Sequence, residues 1–178
     1  MAALKPFKES SAHHGLFDAL LRARKAYGGK TEILIDADDR VLTYNDIVRG
    51  ALALGSALKS QTEKGEKVGI LLPTGAGTVL AFFALHSIGR VPAMLNFSAG
   101  MHNIGAAMEA AQVTKVITAH RFIKLAELQN LETAIAAKAE MIYLEDVRDS
   151  ISKKDKIRAI LGPILPTLFT ARTSYNSP

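Results

Sequence analysis

The stretch VLTYNDIVRGALALGSALKSQTEKGEKVGILLPTGAGTVLAFFALHSIGRVPAMLN, Val41 to Asn96, decides the fold. It reads as strand end, helix, strand, helix, strand, with a loop wherever the hydrophobic period changes. Leu42-Thr43-Tyr44-Asn45-Asp46 has the chemistry of a helix entry. Thr43 can cap, Asp46 stands three residues on in the capping-box place, and an acid there suits the helix dipole. Ile47, Ala51, Leu54 and Leu58 then recur at helical spacing, with Val48 and Leu52 widening the stripe. Lys64-Gly65-Glu66-Lys67 breaks this helix. Val68 to Leu72 is a continuous apolar run, as expected of a strand covered on both faces. Pro73-Thr74-Gly75 stops the strand, and Val79 to Ile88 predicts a helix apolar almost all round, hence buried. Gly89 ends it and Val91 to Leu95 predicts the next strand. Strand, helix of about three turns, strand is the βαβ unit of a parallel sheet.

Outward from this unit the pattern continues. Residues 1–11 read as a loose tail, and Leu16 to Tyr27 as an amphipathic helix stopped by Gly28-Gly29. Thr31 to Asp36 and Arg40 to Leu42 flank Ala37-Asp38-Asp39, the composition of a hairpin turn. Met101 to Gln112 predicts a helix with Ile104, Ala107, Met108 and Ala111 on one face, and Lys115 to Thr118 a strand. Arg121 to Asn130 and Leu131 to Lys138 read as helices joined or kinked near Asn130. Met141 to Leu144 reads as a strand followed by a polar helix through Leu161, and Gly162-Pro163 ends the pattern. The expected fold class is α/β, a mostly parallel sheet with flanking helices. One domain is expected over residues 12–162, with 163–178 as a linker.

Composition narrows the function classes. A chain of 178 residues with 48% hydrophobic content suffices for one domain with a real core. There is no cysteine, hence no disulfide framework, thiolate chemistry or zinc ribbon, which is compatible with a reducing cytoplasm. Apolar stretches reach only about ten residues, short of the ~20 that a membrane span needs, so no transmembrane segment is expected. Met1 to Ser11 lacks the apolar centre of a signal peptide. The net charge of +5 is spread over separate faces, and the chain has no tryptophan and few aromatics to stack bases, so no nucleic-acid partner is expected.

Several residue groups invite a chemical reading. His13 and Asp18 match the His, four residues, Asp spacing of glycerolipid acyltransferases, in which the histidine takes a hydroxyl proton. Positions five apart on one helix lie about 140° apart, and no second acyltransferase motif follows, so a solvated helix entrance is the better account. Asp36, Asp38 and Asp39 lack the glycine and terminal glutamate of a calcium loop and read as a turn. Gly75-Ala76-Gly77 follows a strand and opens a helix, where a phosphate could rest on backbone N–H groups. Leu80 stands where a dinucleotide fingerprint needs its third glycine, and no Gly-Lys-Ser/Thr follows. A tight turn is therefore expected there. His86, among Phe82, Phe83, Leu85 and Ile88, is expected to be a hydrogen-bonded core residue, and the methionines core filler. Asn96 and Phe97, in the loop at the carboxyl end of a strand, are the candidates for substrate contact, with capping of the next helix as the competing duty. Lys153-Lys154-Asp155-Lys156 reads as a solvated face, with docking to an acidic carrier protein or anionic headgroups as the alternative.

Two motifs carry a resemblance. Leu42-Thr43-Tyr44-Asn45-Asp46-Ile47 is similar to the Leu-Thr/Ser-Tyr-x-Glu-Leu motif near the N-terminus of AMP-forming, adenylate-forming acyl ligases. His86-Ser87-Ile88-Gly89-Arg90-Val91-Pro92-Ala93-Met94-Leu95-Asn96 is similar to their second motif, Leu-Lys-Ala-Gly-x-x-x-x-Pro-Leu-Asn. The departures are Asp46-Ile47 for Glu-Leu and His86-Ser87-Ile88 for Leu-Lys-Ala. Met94 to Gly100 most resembles the acyl-carrier-protein synthetase half of bacterial 2-acylglycerophosphoethanolamine acyltransferases.

The resemblance implies activation of a fatty acid with ATP and magnesium, then acyl transfer to coenzyme A or a carrier protein. The implied setting is cytoplasmic, with a membrane-peripheral place open to the full-length protein. The family binds ATP through a later Thr-Ser-Gly-Thr/Ser-x-Gly-x-Pro-Lys loop, and Thr173 to Pro178 has neither its glycine nor its lysine. The chain is therefore expected to be an N-terminal part of such a ligase, binding no cofactor and inactive by itself. Its partners would be the remainder of the ligase chain and, through bare apolar surface, further copies of itself. The alternatives are a stand-alone interaction domain without catalysis, and a nucleotide-binding regulator using Gly75 to Gly77.

Overall fold

The computed structural model describes residues 15–36 and 39–150. The expected tail (1–11), the helix beyond Ser150, the lysine run and the linker (163–178) lie outside the described residues, as does His13. The elements are α1 (Leu16–Tyr27), β1 (Glu32–Ile35), β2 (Val41–Thr43), α2 (Tyr44–Leu58), β3 (Lys67–Ile70), α3 (Ala76–Ser87), β4 (Val91–Met94), α4 (Met101–Ala111), β5 (Lys115–Thr118), α5 (His120–Leu125), α6 (Gln129–Ala136), β6 (Glu140–Tyr143) and α7 (Leu144–Ser150). A single 3-10 turn, Phe97–Ala99, sits between β4 and α4.

β1 and β2 form an antiparallel hairpin, while the other four strands make a parallel sheet in the order β4-β3-β5-β6. The apolar run after Lys67 explains the central place of β3. Val68 and Ile70 face one side with Leu58 of α2, Leu85 of α3 and Val147 of α7. Leu71 faces the other, with Ile104 and Met108 of α4, Ile123 of α5 and Leu131 and Ile135 of α6. Helices therefore cover both faces. The handedness of parallel crossovers requires this arrangement, because β3 to β4 and β4 to β5 run in opposite directions across the sheet. A third cluster, Phe17 and Leu20 of α1 with Leu42, Ile47, Val48, Ala51 and Leu52, seats the hairpin and α1 on α2.

The entry to α2 has the geometry its sequence dictates. Thr43 Oγ1 accepts from the Asp46 N–H and the Asp46 carboxylate accepts from the Thr43 N–H, a complete capping box. The α2–α3 contact is close because Gly55 has no side chain: a Cβ there would lie 2.9 Å from the Ala84 carbonyl oxygen and 2.7 Å from Ser87 Oγ.

Four details differ from the sequence reading. α3 begins at Ala76, three residues before the expected Val79, because the turn at Gly75 is already helix-capped from outside. That helix is also less buried than its composition suggests: Val79, Leu80, Phe82 and Phe83 are half-buried, since α1 and α2 cover it only partly. The break between α5 and α6 falls at Ala126–Leu128, with Glu127 at φ 53°, not at Asn130. On α4, Ile104 and Met108 are buried while Ala107, expected on the same face, is exposed.

Candidate functional site

In open parallel sheets ligands meet the carboxyl ends of the strands, above all where adjacent connections leave toward opposite faces. Here that place lies between β3 and β5, since α3 packs on one face and α5 on the other. Its floor is tied across the strands. The Leu71 N–H donates to the Ile117 carbonyl at 2.9 Å, and the fully buried Thr118 hydroxyl donates to the Leu71 carbonyl at 2.8 Å.

Both helix entrances beside this crevice hold a carboxylate of the chain itself. At α3, Asp36 Oδ2 accepts from the Ala76 N–H at 3.2 Å. A Cβ on Gly75 would stand 2.6 Å from Asp36 Oδ1, so a larger residue here would displace the hairpin aspartate from its docked position. At α5, Glu145 accepts from the His120 and Arg121 N–H groups, each at 3.1 Å. Burial works against the charge on Glu145, but bonds from the N–H groups of Arg121, Glu145 itself and His120 outweigh it and hold its carboxyl below the ordinary range.

A polar cluster extends from the same end of the sheet. The His120 and Tyr143 rings stack with centroids 3.8 Å apart and 8° between planes, and His120 Nε2 lies 3.5 Å from Asp146 Oδ2. The Tyr143 hydroxyl donates to Glu132 Oε1 at 2.7 Å. Burial, that hydrogen bond and the nearby charges of Glu132 and Asp146 push the phenol up to about 12.

The residues singled out in the sequence are scattered relative to this crevice. Asn96 Oδ1 accepts from the Ser98 N–H at 3.0 Å and the Ser98 hydroxyl at 2.7 Å, capping the 3-10 turn. Phe97 packs edge-on against Phe122 at 5.2 Å and remains 38% exposed. Both lie at the carboxyl end of β4, an edge strand, one position away from the β3–β5 crevice. His86 is on the last turn of α3, toward the opposite end of the sheet. It is half-buried against Phe82 at 4.7 Å, without the expected side-chain hydrogen bond among the described residues, and burial pushes its imidazole down toward the neutral form. Asp36 is a helix cap, a role the Asp-rich turn did not advertise. No pattern in the sequence pairs Asp36 with Ala76, or Glu145 with His120, because each bond joins segments 25 or more residues apart.

These residues do not fit ATP with magnesium. The Ala76 N–H at the Gly75 turn donates to the Asp36 carboxylate, whose charge would repel a phosphate there. Among the described residues no group of three or more His, Cys, Asp or Glu side chains could hold a metal ion. Nor, among them, is any helix long and apolar enough to cross a membrane.

Comparison with known proteins places the chain in context. The family profile described as AMP-binding enzyme matches residues 21–163. Among solved structures, the N-terminal subdomain of NpsA from Klebsiella oxytoca superposes with a TM-score of 0.63 at 18% identity, covering 78% of this chain and 33% of that one. Unliganded O-succinylbenzoate coenzyme A synthetase (MenE) from Bacillus subtilis gives 0.62 at 19% identity, covering 73% and 26%. The nonribosomal peptide synthetase FmoA3, in a form bound to alpha-methyl-L-serine-AMP, gives 0.62 at 18%, covering 78% and 15%. At such identities the likeness is one of fold: a parallel sheet with flanking helices, as in the N-terminal subdomains of adenylate-forming ligases. The chain spans a third or less of the length of each of these three.

Proposed function

The chain belongs to the AMP-binding enzyme family, and from that premise we propose that it forms the N-terminal part of an ATP-dependent fatty acyl-coenzyme A or acyl-carrier-protein ligase. In that reaction the fatty carboxylate attacks the α-phosphorus of ATP, giving acyl-adenylate and pyrophosphate. A thiol of coenzyme A or of a carrier protein then displaces AMP to form the thioester. The family match across most of the chain, together with the two motifs at Leu42–Ile47 and His86–Asn96, carries this reading.

Within it, the chain supplies scaffold. Such displacements depend on groups placed to hold the phosphates, and the two helix entrances at the switch point are occupied by Asp36 and Glu145. Asn96 and Phe97 are the proposed lining of the acyl substrate's pocket, completed by the remainder of the ligase chain. ATP, magnesium, the fatty acid and the acceptor thiol are therefore assigned to the whole ligase, and the 178-residue chain alone is inactive.

Pyrophosphate exchange with medium- and long-chain fatty acids tests the second part. Turnover by this chain alone would refute it. The ligase assignment is tested by the coding sequence past Pro178. A glycine-rich loop with a lysine supports the ligase, whereas a stop codon favours an interaction domain without catalysis.

A further inference from the structure

α4 turns Ile104 and Met108 into the core and leaves Met101, His102, Ala106, Ala107, Glu109 and Ala110 exposed. The outer face of a surface helix is ordinarily charged, yet Glu109 is the only Asp, Glu, Lys or Arg on this one. Beside it, between α4 and α6, lies an open groove of about 520 Å³. Three side chains give this face its charge, in order along the helix axis. His102 stands at one end. The Lys138 ammonium lies 3.8 Å from where a Cβ on Gly105 would stand, which places it at the middle. Glu109 stands at the other end, about 10 Å from His102 at 1.5 Å per residue. Among the described residues none of the three has a side-chain hydrogen bond or ion pair.

Base, base, acid is an order complementary to its own reverse. Positions 102, 105, 106 and 109 fall within about 100° around the helix axis and so share one face. We infer that this face binds a second copy of the chain, α4 packing antiparallel on α4 about a two-fold axis between Gly105 and Ala106. Glu109 of each protomer then falls between the partner's His102 and the partner's Lys138, and the symmetry of an isologous contact makes this happen twice. A parallel placement would set Glu109 against Glu109, so charge selects the antiparallel one. Gly105 and Ala106 let the helices approach to about 8 Å, the near end of helix packing distances. The contact is one helix wide, at the low end of specific interface sizes, so a dissociation constant of roughly 10–500 µM is expected. None of this depends on the ligase reading, because pairing requires no adenylating activity.

Sedimentation equilibrium of the full chain over roughly 5–500 µM should show a monomer–dimer equilibrium. Glu109→Lys sets bases against bases and should weaken the dimer about tenfold or more, and so should His102→Glu combined with Lys138→Glu. All three positions are exposed, so circular dichroism melts of both variants should match the parent. Mixing the two variants is the decisive measurement. Opposite charges face each other again in the mixed pair, and a heterodimer of near-parental affinity is expected where neither variant pairs with itself. A chain that stays monomeric at about 500 µM, a dimer that Glu109→Lys leaves unchanged, or a mixture that restores nothing overturns the inference.

Discussion

Arg90 is only 7% exposed, and its guanidinium ties together the C-terminal ends of two helices. Nε donates to Thr62 Oγ1 at 3.0 Å, one terminal nitrogen donates to the Ile88 carbonyl, and the other reaches the carbonyls of Thr62 and Lys59. These are carbonyls at the C-terminal ends of α2 and α3, where a helix has no acceptors' partners of its own and where positive charge suits the dipole. Thr62, itself buried, donates a hydrogen bond from its hydroxyl to the Leu58 carbonyl at 2.8 Å. Arg90→Met keeps much of the apolar stem but strands two or more buried acceptors. Each stranded group costs about 1–3 kcal/mol, so a loss of about 3–5 kcal/mol is expected. That is a large part of the ~5–15 kcal/mol by which a domain is stable, and corresponds to a fall of roughly 6–20 °C in Tm. Arg90→Lys should recover less than half, since an ammonium cannot present the planar fork that reaches three carbonyls at once. The chain lacks tryptophan, so urea unfolding followed by far-ultraviolet circular dichroism is the assay. A loss below about 1 kcal/mol for Arg90→Met, the level of an ordinary surface change, or Arg90→Lys matching the parent, would refute the reasoning.

Asp36→Ala removes the cap of α3 and should cost about 1 kcal/mol. Gly75→Ala, which displaces the same carboxylate, should cost a similar amount alone and much less in the Asp36→Ala background, a non-additivity that a double-mutant cycle reads directly. Asp46 is held below the ordinary carboxylate range by the Thr43 hydroxyl and N–H, and Glu145 is lowered too. Their contribution is therefore present above the unfolded-state values and is lost as pH falls through the folded ones, below about pH 4. Asp46→Asn should flatten the acid limb of the urea midpoint plotted against pH. Tyr143 shows the opposite sense: with its phenol raised to about 12, its contribution is whole below the unfolded value near 10 and fades as pH rises past it. Phenolate absorbance should show a late-ionising tyrosine that Tyr143→Phe removes. At the free edge of β4, the N–H groups of Val91 and Leu95 point toward β3, so position 92 faces outward and Pro92 withholds a donor there. Pro92→Val should increase self-association in light scattering, because Val91 and Met94 are exposed on the same strand.

The elements that local chemistry specifies were the legible ones. The capping box at Thr43 and Asp46 is a bond between residues three apart, and the strand Lys115–Thr118 is a short apolar run between polar flanks, so both could be placed from the sequence to the residue. Where position depends on distant chain, local sequence does not specify it. α3 starts early because Asp36, forty residues away, supplies its cap. α5 ends early because Glu127 adopts a left-handed conformation that its side chain does not announce. Ala107 shares a helical stripe with Ile104 and Met108, yet it is exposed, because the face of α4 that meets the sheet is narrower than the stripe its spacing suggests. Among the described residues His86 lacks the expected hydrogen bond for a related reason. The apolar sequence around that histidine predicts a core position, whereas α3 is half-open on the side His86 occupies.

The two trans-acting carboxylates also bear on what this region can do within a larger enzyme. A helix N-terminus at the switch point of a parallel sheet is ordinarily the first place to seek a bound phosphate. Here the carboxylate on α3 comes from the β1–β2 hairpin and that on α5 from the strand–helix joint of β6 and α7. In each case an acid satisfies N–H groups that would otherwise attract an anion, and in doing so fixes one peripheral element onto the sheet. A phosphate brought to the glycine turn would meet the Asp36 carboxylate, so in this fold the acid on the β1–β2 hairpin and the glycine at the entrance to α3 act as one unit.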